Sequence, residues 1–326
     1  MMKLLIVGLG SMGKRRIRNL DFLKAGEIIG FDPRDDRRRE AEEKYGIKTF
    51  SVFDNAMDEK PDALIISTPP DKHTEYAILA AKTSKHFFTE ASVILDDMDE
   101  LIELCRGSNI VAAPSCTMRF HPAIKDIKSI VTGGEYGHLV NFSYHFGQYL
   151  PDWHPWEKVT DYYVGQRETG GCRELVPFEL TWILDITGLP RQAVALYGKT
   201  RDVGADIDDT YVISLAFDDA FGNITCEVTS RYSTRSLILN LEQAQLLWRW
   251  DEQVVKLYDA NIQQWINHNV TLGESADGYN KNITEDIYID EMRSFINAIE
   301  GKGKFPNTLE DDAGILKLLY QLEGRL

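Results

Sequence analysis

The sequence predicts an α/β protein: a doubly wound parallel sheet first, then an α+β region with a largely antiparallel, open sheet. Three observations carry this. Short apolar runs alternate with helix-compatible stretches over the first third of the chain. A glycine turn, Gly8-Leu9-Gly10-Ser11-Met12-Gly13, follows the first apolar run at once and opens a helix. After about residue 118 the alternation gives way to consecutive strand candidates with short turns. Strand–helix alternation implies a parallel sheet covered on both faces, whereas consecutive strands imply an antiparallel one with an exposed face.

In chain order, Lys3 to Val7 is a buried strand bounded by glycine. Gly8 allows a sharp turn, Gly10 lets a pyrophosphate approach the backbone, and Gly13 lets the helix pack closely on the sheet. The helix behind them offers its positive end to the phosphates. A second strand, Glu27 to Phe31, ends at Asp32, 19 residues after Gly13. That is the place for an acid that accepts from the adenosine ribose. Asp35 to Tyr45 and His73 to Thr83 read as helices, with Ile47 to Phe50 and Ala63 to Ser67 extended between them. Pro69 and Pro70 keep the next helix from starting at once. His86 to Thr89 is a strand, Asp97 to Cys105 a helix and Ile110 to Ala113 a strand. Ligands of such sheets bind beyond the carboxyl ends of the strands. Those ends are Gly8–Gly13, Asp32, Ser67–Pro70, Glu90 and Ser115–Arg119.

Beyond residue 118, His121 to Val131 is helical. Leu139 to Tyr149 alternates, with Val140, Phe142, Tyr144 and Phe146 on one face. Trp153 to Gly171 is irregular and aromatic, and includes Trp156, Tyr162 and Tyr163. Glu174 to Ile186 is a helix closed by Gly188 and Pro190. Six strands are expected between Ala193 and Tyr258, and closing helices over Asp286 to Ile299 and Leu309 to Leu322. The domains expected are 1–118 and 119–326, with the C-terminal helices able to pack back on the first.

The chain has 326 residues and a net charge of −15, which argues against general nucleic-acid or anionic-membrane binding. Its four cysteines are widely spaced without a C-x-x-C pair, and its histidines form no metal pattern. No apolar run approaches the roughly 20 residues of a membrane span. A cytoplasmic location and no metal are the expectations.

With these residues in view, the chain resembles the glucose-fructose oxidoreductase / inositol dehydrogenase / MocA family along nearly its full length. The matches are the glycine turn, Asp32, Ser67-Thr68-Pro69-Pro70 with His73, Lys85-His86-Phe87-Phe88-Thr89-Glu90, Met118-Arg119-Phe120-His121-Pro122, and Gly170-Gly171 before a helix ending at Gly188. The resemblance implies a Rossmann domain joined to an α+β domain whose open sheet mediates homo-oligomers. It also implies a nicotinamide cofactor and interconversion of a secondary alcohol and a ketone on a sugar, nucleotide sugar or cyclitol. Two departures stand out. Glu90-Ala91-Ser92 replaces the family's Glu-Lys-Pro, and the family's histidine position falls on Phe178 or Glu179, with its aspartate position on Leu175.

The cofactor site expected is Gly8, Leu9, Gly10, Ser11, Met12, Gly13, Asp32, Arg34, Ser67, Thr68, Pro69, His73 and Glu90. Asp32 favours NAD by repelling a 2′-phosphate, while Arg34 leaves NADP open; Arg37, Arg38 and Arg39, interspersed with acids, read as a solvated helix face. Glu179, beside Phe178 and Trp182, is the candidate acid or base, since a carboxyl in an apolar pocket works near neutrality. Arg119, His154, Tyr163 and Arg173 are candidate substrate contacts. Glu174 either binds substrate or pairs with another charge. Loss of the family lysine and histidine leaves an alternative: a dinucleotide-binding regulatory or scaffolding protein.

Overall fold

The computed structural model describes residues 1–155, 157–271, 273 and 284–326. Trp156, read above as part of the aromatic loop, lies outside them. The chain divides into two compact units, one of Met1–Thr117 with Ile287–Gly314 and one of Met118–Asp286 with Ile315–Leu326.

The first unit holds six parallel strands: β1 (Lys3–Val7), β2 (Glu27–Phe31), β3 (Lys48–Phe50), β4 (Ala63–Ile66), β5 (His86–Thr89) and β6 (Ala112–Pro114). Their order is β3-β2-β1-β4-β5-β6. The order reverses between β1 and β4, which is where a doubly wound sheet opens a ligand crevice. Leu4 to Val7 and Ala63 to Ile66 are fully buried, as strands covered on both faces must be. The helices are α1 (Ser11–Phe22), α2 (Asp35–Tyr45), α3 (Phe53–Met57), α4 (His73–Lys82) and α5 (Met98–Cys105). Helix α3 was not expected; it is a single turn of five residues, too short for a periodic signal.

In the second unit, α6 (Pro122–Thr132) leads to β7 (Leu139–Tyr149), and α7 (Cys172–Thr187) follows the aromatic loop. Then come β8 (Gln192–Gly198), β9 (Thr210–Ala216), β10 (Phe221–Glu227), β11 (Thr229–Leu241), β12 (Ala244–Arg249), β13 (Val254–Asp259) and β14 (Gln264–Asn269). The order is β14-β13-β12-β11-β7-β10-β9-β8, with β7–β10 parallel and the other pairs antiparallel. One row of partners, Ile213, Ile224, Tyr144, Leu237, Trp248 and Val255, is buried across the sheet. Trp182 of α7 meets Tyr144 edge-on at 5.1 Å. Val140, expected on the buried face, is exposed. Strand β14 was not foreseen, because Gln264-Trp265-Ile266-Asn267-His268-Asn269 is a polar edge strand with little apolar alternation.

The closing helices are α8 (Glu285–Ile299) and α9 (Leu309–Leu322), both divided between the units. Among the described residues no helix is long and apolar enough to cross a membrane.

Candidate functional site

The glycine turn is built as its spacing suggests. Gly8 has φ +93°, and a Cβ there would lie 2.6 Å from the Ser67 carbonyl oxygen. A Cβ on Gly13 would lie 1.9 Å from the Gly8 carbonyl oxygen. Gly10 differs, because a Cβ there would meet only the Arg37 guanidinium, at 3.5 Å. Two glycines are thus required by the protein's own packing. The third leaves a cradle that a side chain would fill. Helix α1 starts right behind it, with Gly10 as N-cap and no acid in its first turn to offset the positive helix end.

Asp32 is almost fully buried, at 2% exposure. Its Oδ2 accepts from the Leu9 N–H (2.8 Å) and its Oδ1 from the Arg34 N–H (2.9 Å). Each oxygen keeps a further lone pair for a ribose hydroxyl. The Arg34 side chain, expected beside this acid, is instead turned out to Asp36. The cation facing its carboxylate is Arg37, whose Nη1 lies 3.5 Å from Asp32 Oδ2, while Arg38 donates to the Asp32 carbonyl at 2.8 Å. The reason is helical geometry: Arg34 precedes α2, and Arg37 lies on its first turn.

At the ends of β4 and β5 the picture changes. His73 is buried, and its Nε2 bonds the Thr68 carbonyl at 2.8 Å. Burial pushes its pKa down, so the neutral ring donates there and fixes the Thr68 turn. His73 thus shapes the cofactor edge from behind. Glu90 forms a two-pronged pair with Arg16 of α1, at 2.6 and 2.8 Å, and Ser67 Oγ donates to its Oε1 at 3.3 Å. Arg16 also pairs with Glu291 of α8 at 2.9 Å. Glu291 is sealed, accepting from Ser115 Oγ, the Cys116 N–H and Thr117 Oγ1. Burial pushes the Glu291 pKa up against the pull of Arg16. Neither Arg16 nor Glu291 was singled out in the sequence. The available signal was a charged residue on an otherwise buried helical stripe: Arg16 among Gly13, Ile17 and Leu20, and Glu291 among Ile287, Tyr288, Met292 and Phe295.

In the second unit Glu179 does not lie in an open pocket. It is 0% exposed. Tyr144 Oη (2.7 Å) and Trp182 Nε1 (2.8 Å) donate to one carboxylate oxygen, and Arg235 to the other at 3.0 and 3.2 Å. The helical period that puts it beside Trp182 also turns it into the core, where Arg235 of β11 neutralises it. Arg173, read as a substrate contact, is also internal. It pairs with Glu323 at 2.7 and 3.0 Å and donates to the Glu168 carbonyl. Arg119 donates to the Thr181 carbonyl (3.0 Å) and pairs with Asp185. His154 pairs with Glu157 at 2.7 Å and stacks on Tyr162 at 4.8 Å.

Tyr163 is placed differently. Its hydroxyl donates to Glu174 Oε1 at 3.0 Å, and both side chains are half-buried. Glu174 lies in the first turn of α7, just behind Gly170-Gly171, where the helix dipole favours a carboxylate. A phenol bonded to a carboxylate can pass a proton between them. Among the described residues no metal-holding cluster is found.

Residues 2–114 match the model of the oxidoreductase family with an NAD-binding Rossmann fold, and residues 124–246 match the GFO/IDH/MocA C-terminal domain. The chain belongs to this oxidoreductase family. NAD is the cofactor of its Rossmann domain, and the Gly10 cradle with Asp32 fits it. The myo-inositol 2-dehydrogenase of Thermotoga maritima is 30% identical over 141 residues, which span 42% of each chain. A bovine trans-1,2-dihydrobenzene-1,2-diol dehydrogenase is 24% identical over 71% of this chain and 70% of its own. The chain thus spans about two fifths of the length of the inositol dehydrogenase it matches. Among solved structures, a levoglucosan dehydrogenase in complex with NADH superposes with a TM-score of 0.85 at 16% identity, covering 99% of this chain and 96% of its own. A UDP-N-acetylglucosamine 3-dehydrogenase from Acidithiobacillus ferrooxidans gives 0.78 at 15%, covering 100% and 97%. Both likenesses are of fold.

Proposed function

We propose that this family member is an NAD-dependent dehydrogenase interconverting a secondary alcohol and a ketone on a sugar, nucleotide sugar or cyclitol. The observation that carries the reading is the open cradle at Gly10 beside an Asp32 pinned to the same turn by the Leu9 N–H. Bound NAD supplies the hydride acceptor or donor. The chain's part is to hold the cofactor and manage the proton on the alcohol oxygen.

Asp32 takes the adenosine ribose hydroxyls, the turn and the start of α1 take the pyrophosphate, and Ser67, Thr68, Pro69 and Glu90 form the far edge of the cofactor site. Arg37 rather than Arg34 is the arginine that would meet a 2′-phosphate, so NADP binding depends on it. For the proton, Tyr163 with Glu174 replaces Glu179 as the candidate. Glu179 has its oxygens committed to Arg235, Tyr144 and Trp182, whereas the Tyr163–Glu174 bond carries a transferable proton. The carbohydrate class is supported by the relatives' names and by the aromatic loop, where His154 and Tyr162 stack. The test is NADH formation at 340 nm with NAD+ and a panel of inositols, anhydrosugars and nucleotide sugars. Turnover of at least one supports the reading.

The absent family lysine, with Ala91 in its place, favours a second reading in which the dinucleotide is bound but not turned over. NADH binding without turnover across the panel selects it. We also infer a homo-oligomer formed through the outer face of the second sheet, where Val194, Leu196 and Val212 are exposed on adjoining strands β8 and β9.

A further inference from the structure

We propose that Arg201 and Arg231, gathered on the ring of Tyr149, seat a phosphoryl group carried by the substrate. The Arg231 guanidinium carbon lies 3.9 Å from the Tyr149 ring centroid and that of Arg201 5.5 Å. Both side chains are exposed. They are unusual in this chain. Residues 118–286 and 315–326 contain nine arginines, and seven of them are in ion pairs. Of these nine, Arg201 and Arg231 alone have no carboxylate partner among the described residues, and they meet on one ring.

That is hard to account for as ordinary surface. The chain carries 51 acidic residues against 36 basic ones, and acids are close by, but they are turned elsewhere. Asp202 accepts from the Gly204 N–H. Asp209 accepts from Thr200, Thr210 and the Arg201 backbone N–H. Glu227 is committed to Thr229, Ser230 and His145. A guanidinium stacked on an aromatic ring keeps its in-plane N–H donors directed outward, already ordered and not neutralised. Two such forks suit the several oxygens and multiple charge of a phosphate or pyrophosphate.

The position points to the substrate rather than to a separate ion. Tyr149 ends β7 and pairs with Thr229 at the start of β11. The same end of the sheet carries the start of α7: Cys172 Sγ donates to the Cys226 carbonyl at 2.9 Å, and Gly171 faces Ile207. Glu174 and Tyr163 stand at that helix start. The inference therefore rests on the dehydrogenase reading above and narrows its substrate to a phosphorylated sugar, such as a nucleoside diphosphate sugar.

The test titrates inorganic pyrophosphate calorimetrically into the full-length protein saturated with NADH, so that the dinucleotide site is filled. Wild type is expected to bind it. The R201Q/R231Q variant is expected to bind at least about tenfold more weakly, as loss of charge-assisted bonds requires. R191Q, which removes another exposed arginine, is expected to match wild type. NADH affinity is expected to stay within about twofold in all three, because these surface changes leave the dinucleotide site intact. Pyrophosphate binding that is absent in wild type, or equal in all three proteins, overturns the proposal. A nucleoside diphosphate sugar is then expected to displace pyrophosphate from wild type; failure to displace it overturns the assignment to the substrate. NADH binding reads the dehydrogenase proposal separately. Its failure, with pyrophosphate then titrated into the unliganded protein, leaves the arginine result legible on its own.

Discussion

Tyr163 and Glu174 carry the proton chemistry of the proposed reaction. Tyr163→Phe and Glu174→Gln are each expected to lower kcat by about 10²-fold or more, with NADH affinity unchanged; an unaltered kcat removes the pair from the mechanism. Glu179→Gln is expected to act on stability instead. It leaves Arg235 buried without its counter-charge, which costs about 3–5 kcal/mol and is read as a lower urea midpoint. His121 supplies a pH test. It is buried, accepts the Ala123 N–H through Nδ1 to cap α6, and lies edge-on to Trp248. Burial, with Arg235 and Lys125 adding, pushes its pKa down to about 3. The folded value lies below the unfolded one, so the stability contributed by the neutral ring is complete above about pH 6.5 and lost as pH falls from there toward 3. His121→Asn keeps a capping acceptor but is expected to flatten that slope, about 1.4 kcal/mol per pH unit, in urea titrations at pH 7 and 5. The placement of a residue was legible where chemistry and spacing coincide: Asp32 follows β2 and accepts from the glycine turn. It was not legible where direction decides. Arg34 and Arg37 differ by three positions and have the same composition around them, yet only the one on α2 reaches Asp32. The burial of Glu179 depends on Arg235, which is 56 residues away in sequence.

The elements were more legible than their side chains. Buried parallel strands announce themselves as continuous apolar runs, and α2 and α9 take the bounds their patterns suggest. Elements without such a pattern, α3 and β14, did not show. The glycine turn makes a prediction at this scale, because its glycines serve different purposes. Gly13→Ala places a Cβ 1.9 Å from a backbone oxygen, so it is expected to lower the melting temperature sharply. Gly10→Ala meets only the end of a flexible arginine. It is expected to melt like wild type yet bind NADH at least about tenfold more weakly, since its methyl group occupies the approach of the pyrophosphate. Thermal melts and NADH titrations of both variants check this; equal behaviour of the two contradicts the division of roles.

At the scale of the molecule, the first sheet was readable because each strand follows its helix in sequence. The assignment of residues 287–314 to the first unit joins segments far apart in the chain, and local pattern carries no information about that. The outer face of the second sheet was not readable either, because side depends on register: Leu237, Leu239 and Trp248 point inward while Ile238 is exposed. Exposed Leu196 and Val212 lie side by side in register on β8 and β9. Light scattering is expected to find an oligomer, and Leu196→Arg with Val212→Arg a smaller species; an unchanged mass places the contact elsewhere. The dehydrogenase reading requires the first unit to hold a dinucleotide. The most direct measurement is a calorimetric titration of wild type and Asp32→Asn with NADH. Wild type is expected to bind in the micromolar range, about −8 kcal/mol, and the variant at least about tenfold more weakly. No binding by wild type, or equal binding by both, would contradict that reading.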